Sequence, residues 1–225
     1  MSQEPYKTTC KGKEYLGKTT EVMTQTFLGD PLYTWLLQAH AADKQEPVLF
    51  RLLTAFLTAC ALNHGLFLEA DGFGCCAVLM PPGRKADNPW TMIPAGVVQG
   101  LFTIGIGAVK RAIFDYSAAQ DMYAKALNKE EQKKHWYVFI MGTLGGRRRQ
   151  GLAGVLLGEM KERARSDGRP LWLEATTPLS RDLYKKHGFT TVGELVLGKG
   201  TTGAGGLREK GGPGVTVWSM VWRPT

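Results

Sequence analysis

The chain has 225 residues, of which 44% are hydrophobic and 21% charged, and a formal net charge of +8 at neutral pH. That balance fits one well-filled globular core and excludes a disordered, collagen-like or disulfide-framed chain. The positive excess favours an anionic partner, but KEEQKK and KERAR are short and mixed in sign, which suits a phosphate-bearing small molecule at least as well as nucleic acid.

In chain order, residues 6–15 carry a weak signal for a first strand within a poorly defined N-terminus (1–15) that lacks the apolar core of a signal peptide. TEVMTQTFLGDPLYTWLL, from Thr20 to Leu37, predicts a helix, a break at Gly29-Asp30-Pro31 and a second short helix. In EPVLFRLLTAFLTACALNHG, Leu49, Leu52, Leu53, Phe56, Leu57 and Cys60 recur at helical spacing, and Asn63-His64-Gly65 stops the helix. LFLEA and FGCCAVLM, joined through Asp71-Gly72, predict a β-hairpin that Pro81-Pro82-Gly83 ends.

Residues 90–128 read as a helical insertion with glycine interruptions. Overlapping its start, Asn88 to Val109 is uncharged and about as long as a membrane span, but it contains Pro94, Gln99 and four glycines. A crossing there would also part strand-like segments that belong in one sheet. A buried or substrate-facing helix is therefore expected rather than a span, with a membrane-touching surface as the alternative.

Trp136 to Thr143 predicts a strand, LAGVLLGEMKERAR an amphipathic helix closed by Ser166-Asp167-Gly168, and LWLEAT another strand. Thr177-Pro178 supplies an N-cap and a first-turn proline for a short helix ending at Gly188. FTTVGELVLG and VTVWSMVW close the chain as antiparallel strands. Between them, eight of the seventeen residues 198–214 are glycine, which predicts a flexible, unstructured excursion, with a lid over the acceptor as the alternative. The order of elements implies a single α/β (α+β) domain over residues 1–225. Cys10, Cys60 and the adjacent Cys75 and Cys76 show no metal-binding spacing and read as reduced thiols of a cytoplasmic protein.

The chemistry concentrates in GGRRRQGLAG, residues 145–154, between the strand and the amphipathic helix. Small residues let the backbone approach an anion, the helix N-terminus adds unpaired N–H groups, and three arginines add charge-assisted hydrogen bonds. Leu152 follows Gly151 where a Walker loop needs Lys, and no G-x-G-x-x-G is present, so the two commonest nucleotide loops are excluded.

Arg148-x-x-Gly151-x-Ala153 between strand and helix resembles the acetyl-CoA loop of the GCN5-related N-acetyltransferases, Gln/Arg-x-x-Gly-x-Gly/Ala. TFLGDPLYTWLL, AVLMPPG, PLWLEATTPLSRDLYKKHGF and the closing VWSMVW have counterparts in order, so the resemblance runs from about residue 20 to the end. The nearest branch it resembles is the one that includes puromycin N-acetyltransferase, which shares a hairpin, an intervening helical segment and the Tyr-x-x-x-Gly-Phe helix end. Leu144-Gly145-Gly146 departs from the family's usual Asp-Pro or Arg-Pro and leaves the path of Arg147 open.

The resemblance implies a central, mostly antiparallel twisted sheet flanked by helices, with acetyl-CoA as cosubstrate. It puts Arg148, Gly151, Ala153 and Gly154 on the pyrophosphate, with Arg147, Arg149, Gln150 and Leu152 as further contacts. Met141, Gly142 and Thr143 would hold the pantetheine arm through main-chain groups. Tyr184 would protonate the departing thiolate; its structural alternative is a residue packed on the sheet. Lys185 and Lys186 read as solvated charges and His187 as a cap.

Strand alternation groups Glu174 with Trp172 and Thr176, making it the first candidate for general base, with a structural salt bridge nearly as good a reading. His135 and Asp30 are weaker candidates. Residues 27–37 and 90–116 are expected to wall the acceptor site, with Phe27, Asp30, Tyr33, Trp35 and Phe102 as lining, although the aromatic ones suit a plain core equally. The expected activity is acetyl transfer to a primary amine of a small molecule by a monomer or homodimer without metal. A protein or polyamine acetyltransferase and a silent CoA-binding sensor are the alternatives, and RRRQ lacks the aromatic interleaving of a nucleic-acid platform.

Overall fold

The computed structural model describes residues 6–105 and 126–224. Seven strands form one sheet in the order β1-β2-β3-β4-β5-β7-β6. They are β1 (Thr8–Lys11), β2 (Leu66–Ala70), β3 (Cys75–Met80), β4 (Trp136–Thr143), β5 (Leu171–Ala175), β6 (Thr190–Leu197) and β7 (Val215–Trp222). All neighbours are antiparallel except β4 and β5. A parallel pair needs a long crossover, and the helix that follows RRRQ supplies it.

That helix, α7 (Leu152–Ser166), covers one face of the sheet with α8 (Pro178–Lys186). Leu68, Ala77, Leu79, Leu171 and Leu173 meet Leu156, Leu157 and Met160 there. The opposite face carries α1 (Leu16–Phe27), α2 (Pro31–Leu37) and α3 (Ala42–Leu62). Strand alternation sends Phe67, Cys76, Val78 and Met80 to that side, against Met23 of α1 and Leu49, Leu53 and Leu57 of α3.

The parallel pair is joined only at its start, where Trp136 lies opposite Leu171 and Tyr137 opposite Trp172. Past those residues both strands continue unpaired with each other, β4 to Thr143 and β5 to Ala175, so the sheet forks at its centre. On the other edge of β4 the register jumps from Leu79↔Val138 to Val78↔Ile140, leaving Phe139 as an extra residue. Such a bulge bends its strand and adds twist. Its position, just beyond the last β4/β5 pair, matches the point where the strands part.

The uncharged stretch from Asn88 is not one membrane-length helix. Its described part forms α4 (Pro89–Met92) and α5 (Val97–Thr103), separated by Gly96 at φ +78°. The remainder to Val109 lies outside the described residues, as does most of the expected insertion before α6 (Lys129–Lys133). Among the described residues α3 is the helix long and apolar enough to cross a membrane, and its apolar stripe is buried against the sheet.

Residues 198–214 are folded, which corrects the expectation of an unstructured excursion. Main-chain bonds lace them, from Gly200 N–H to the Gly212 carbonyl at 2.8 Å, from Glu209 to Thr201 at 3.0 Å and from Gly214 to Thr202 at 2.7 Å. The glycines serve geometry rather than freedom. Gly206 has φ +86°, and a Cβ there would strike the Pro31 carbonyl and lie 2.8 Å from the Trp35 nitrogen of α2. This close packing also explains Trp35, which is 2% exposed among Leu197, Val215 and Val217. Its ring belongs to the core and not to an acceptor wall.

Candidate active site

At the open end of the fork, the loop from β4 to α7 bends back through two left-handed residues, Arg149 at φ +64° and Gly151 at φ +87°. Positive φ is uncommon for arginine, and such strain concentrates at functional loops. The helix ladder begins with the Val155 N–H bonded to the Gly151 carbonyl at 3.1 Å. No main-chain carbonyl among the described residues accepts from the N–H groups of Arg149 through Gly154. Consecutive unpaired N–H groups at a helix N-terminus form an anion cradle. A Cβ at Gly151 would meet nothing within 4 Å, so the approach to the cradle is open.

The arginines divide. Arg147 forms an ion pair with Asp71 of the hairpin turn, and its Nε donates to Gln150 Oε1 at 3.1 Å, so it braces the loop. Arg148 is exposed and its Nε reaches back to the Thr143 carbonyl at 3.3 Å. Arg149 is exposed beside the cradle.

Tyr184 enters the fork region from the α7/α8 side. Thr177 caps α8 by accepting from the Ser180 N–H at 3.1 Å, and Ser180 Oγ accepts in turn from the Thr177 N–H at 3.2 Å. This capping box and Pro178 fix the helix that carries the tyrosine. Tyr184 is 6% exposed and packs on Phe189 with ring centroids 5.8 Å apart. Burial, reinforced by Cys75 of β3 and Glu174 of β5, holds its hydroxyl protonated far above the usual tyrosine range. Cys75 accepts a hydrogen bond from Thr143 Oγ1 at 3.1 Å, and burial pushes its thiol up to about 11.

Glu174 faces the α1–α3 side. Tyr137 Oη donates to its Oε2 at 2.9 Å and Trp172 Nε1 to its Oε1 at 2.5 Å. Burial raises its pKa above the ordinary carboxylate value, and these two donors oppose the rise. Just past the end of β5, Thr176 Oγ1 donates to Asp30 Oδ2 at 2.7 Å, while Asp30 Oδ1 caps α2 by accepting from the Leu32 N–H at 2.9 Å. Asp30 is also raised by burial, partly offset by those same bonds. The fork is thus flanked by a phenol on one face of the sheet and a carboxylate on the other, with the anion cradle at its open end.

An arylalkylamine N-acetyltransferase of Aedes aegypti superposes with a TM-score of 0.64 at 17% identity, over 99% of this chain and all of that one. A histone acetyltransferase HPA2-related acetyltransferase of Corynebacterium glutamicum gives 0.61 at 17% identity, over 99% and 98%. A polyamine N-acetyltransferase of Drosophila melanogaster gives 0.60 at 13%, over 96% and 100%. The chain has the GCN5-related N-acetyltransferase fold. By sequence, an uncharacterized N-acetyltransferase of Schizosaccharomyces pombe is 21% identical over 188 residues, 83% of this chain and 75% of that protein. No protein-family model matches the chain.

Within this N-acetyltransferase fold, the side chains of the expected loop and strand residues also have packing roles of their own. Leu152 is buried in the core, so only its main chain is available to a ligand. Gly154 is small for another reason as well: a Cβ there would lie 2.9 Å from Cε1 of His187, whose ring fills that flank of α7. Gly142 lets α1 approach β4, since a Cβ would lie 2.7 Å from Thr26 Cγ2. Met141 is half-buried against the α7 core.

Phe102 on α5 is 67% exposed. Tyr33 does gather with Phe27, at a centroid separation of 5.2 Å, beside Asp30. His135 precedes β4 at the closed end of the fork, where its Nδ1 lies 3.0 Å from the Glu131 carbonyl and its ring 6.5 Å from that of Tyr137. Sequence reading missed two residues. Tyr137 could have been found by aligning β4 and β5 as parallel neighbours; Asp71, read as a turn residue, carries no local sign of its pairing with Arg147.

Proposed function

We propose that this protein is an acetyl-CoA-dependent N-acetyltransferase that acts on a primary amine of a small molecule by direct attack. The observation that carries this reading is the fork between β4 and β5, with Tyr184 and Glu174 on its two faces and the open N–H cradle at its mouth. The cradle residues Arg149 to Gly154 would hold the CoA diphosphate, with Arg148 and Arg149 supplying charge. The unpaired inner edge of β4 from Val138 to Thr143 offers main-chain groups to an extended arm lying in the gap. The acetyltransferase neighbours and the yeast relative support the same assignment.

In this reading the amine nitrogen attacks the thioester carbonyl, the new C–N bond forms and the C–S bond breaks. The proton leaving nitrogen goes to Glu174, and the departing thiolate takes the Tyr184 proton. Solvent then restores both groups. Tyr184 suits its part because burial keeps it protonated throughout the neutral range. The four free cysteines, three of them buried, accord with a reducing cytoplasm. The hairpin, the helical segment after it and the Tyr184–Phe189 helix end support kinship with the puromycin N-acetyltransferase branch.

Two carboxylates on the acceptor side, Glu174 and Asp30, favour a cationic acceptor and make a polyamine the second reading. The test is CoA release from acetyl-CoA with a panel of aminonucleosides, arylalkylamines, polyamines and lysine peptides. Turnover of a small amine is expected; tight acetyl-CoA binding without turnover on any acceptor would replace the enzyme with a sensor. Tyr184→Phe is expected to bind acetyl-CoA normally and lose about 100-fold or more in kcat, and unchanged turnover would remove the acid role.

A further inference from the structure

Glu174 is held by two donors from two strands at the point where those strands separate. Tyr137 and Trp172 face each other as the last β4/β5 pair, and Glu174 follows two residues on along the same face of β5. The Tyr137 hydroxyl reaches Oε2 at 2.9 Å and the Trp172 indole reaches Oε1 at 2.5 Å. Each carboxylate oxygen therefore accepts one neutral donor, which leaves capacity on both for an incoming N–H. No arginine or lysine among the described residues forms an ion pair with Glu174.

We propose that Tyr137 is a positioning residue for acyl transfer: together with Trp172 it clamps the Glu174 carboxylate at the apex of the fork so that its free lone pairs face the attacking amine. This rests on the acetyltransferase reading above. Tyr137 is suited to the task, because its own hydroxyl is buried and driven far above the usual range, so it donates to the carboxylate and does not ionise in its place. The clamp does more than orient. A neutral donor stabilises the ionised carboxylate against the burial that opposes it, and so keeps the base able to accept a proton.

Among the described residues the other ionisable groups facing this cluster are Tyr184 from α8, Tyr33 and Asp30 at the start of α2, Cys60 of α3, and His135, whose ring lies 6.5 Å from that of Tyr137 and whose pKa burial lowers. Burial raises Tyr184, Tyr33 and Cys60 to the point where they stay neutral through the working range, and Asp30 stays tied to Thr176 and Leu32. Removing the Tyr137 hydroxyl deletes one stabilising bond to the anion, so Glu174 should take up its proton at higher pH.

The experiment is the pH profile of kcat/KM for acetyl transfer to one small amine, measured for wild type, Tyr137→Phe, Trp172→Phe and Glu174→Gln, with acetyl-CoA affinity measured alongside. Using one acceptor throughout makes its own ionisation common to every profile. The expected result for Tyr137→Phe is an acid limb displaced upward by about one pH unit, roughly a tenfold loss at the acid end that recovers as pH rises, and unchanged acetyl-CoA affinity. Trp172→Phe should displace the limb in the same direction, and Glu174→Gln should stay slow at every pH. A uniform loss in Tyr137→Phe, or none, overturns the clamp while leaving the acetyltransferase reading intact. If Tyr137→Phe does not fold, the limb of Trp172→Phe decides in its place. A wild-type chain that turns over no amine overturns both readings.

Discussion

Glu174 shows how one residue's environment sets opposing demands on stability and chemistry. Burial raises its pKa in the folded state, whereas in the unfolded chain it titrates as an ordinary carboxylate. Between those values the folded protein holds a proton that the unfolded chain has released, so stability falls as pH rises through that interval. Glu174→Gln cannot ionise and lacks this slope. Its Tm relative to wild type should therefore improve on going from pH 4 to pH 7, even as activity is lost; thermal melts at both pH values check this, and a difference independent of pH would refute the burial account. Gly142 makes a second case. Its missing side chain lets Thr26 of α1 lie against β4, and Gly142→Ala should cost about 1–3 kcal/mol in denaturant unfolding because both backbones are held by their neighbours.

Among the elements, α8 was fully readable from sequence and β4 only partly so. Thr177 and Pro178 announce the start of α8 through local chemistry, and the structure places the cap there. Thr177→Ala should cost about 1 kcal/mol by leaving first-turn N–H groups unpaired. It should also lower kcat, because Tyr184 lies in the helix this cap anchors; Thr177→Ser should retain both, and the pair of melts and rates tests the link. For β4, the apolar run Trp136 to Thr143 defines the strand, yet nothing local reveals that its pairing with β5 lasts only two residues. Pairing length depends on the bulge at Phe139 and on where the crossover returns, and both are set by tertiary contacts. For the same reason Tyr137 did not stand out beside Glu174, although both were visible as strand residues, and Arg147 could not be assigned to Asp71, 76 residues away.

At the scale of the whole molecule, the glycine-rich residues 198–214 tie the C-terminal half of the sheet to α2 near the N-terminus. Composition misled here, because a glycine needed for positive φ or close approach reads the same in sequence as one that only loosens the chain. Gly206 is the contact point, lying against the Pro31 carbonyl and the Trp35 nitrogen. α2 in turn is capped by Asp30, which accepts from Thr176 just past the end of β5, and it carries Tyr33. The loop therefore braces α2 and, through Asp30, the end of β5, the side of the fork proposed for the acceptor. Gly206→Ala combines a steric clash with backbone with an unfavourable φ, so the loop must lift from α2. The expected outcome is faster proteolysis within residues 199–213 and an acceptor KM raised severalfold, with acetyl-CoA affinity near wild type. If acetyl-CoA affinity fell as much as acceptor binding, the loop would be supporting the fold as a whole and not one flank of the site.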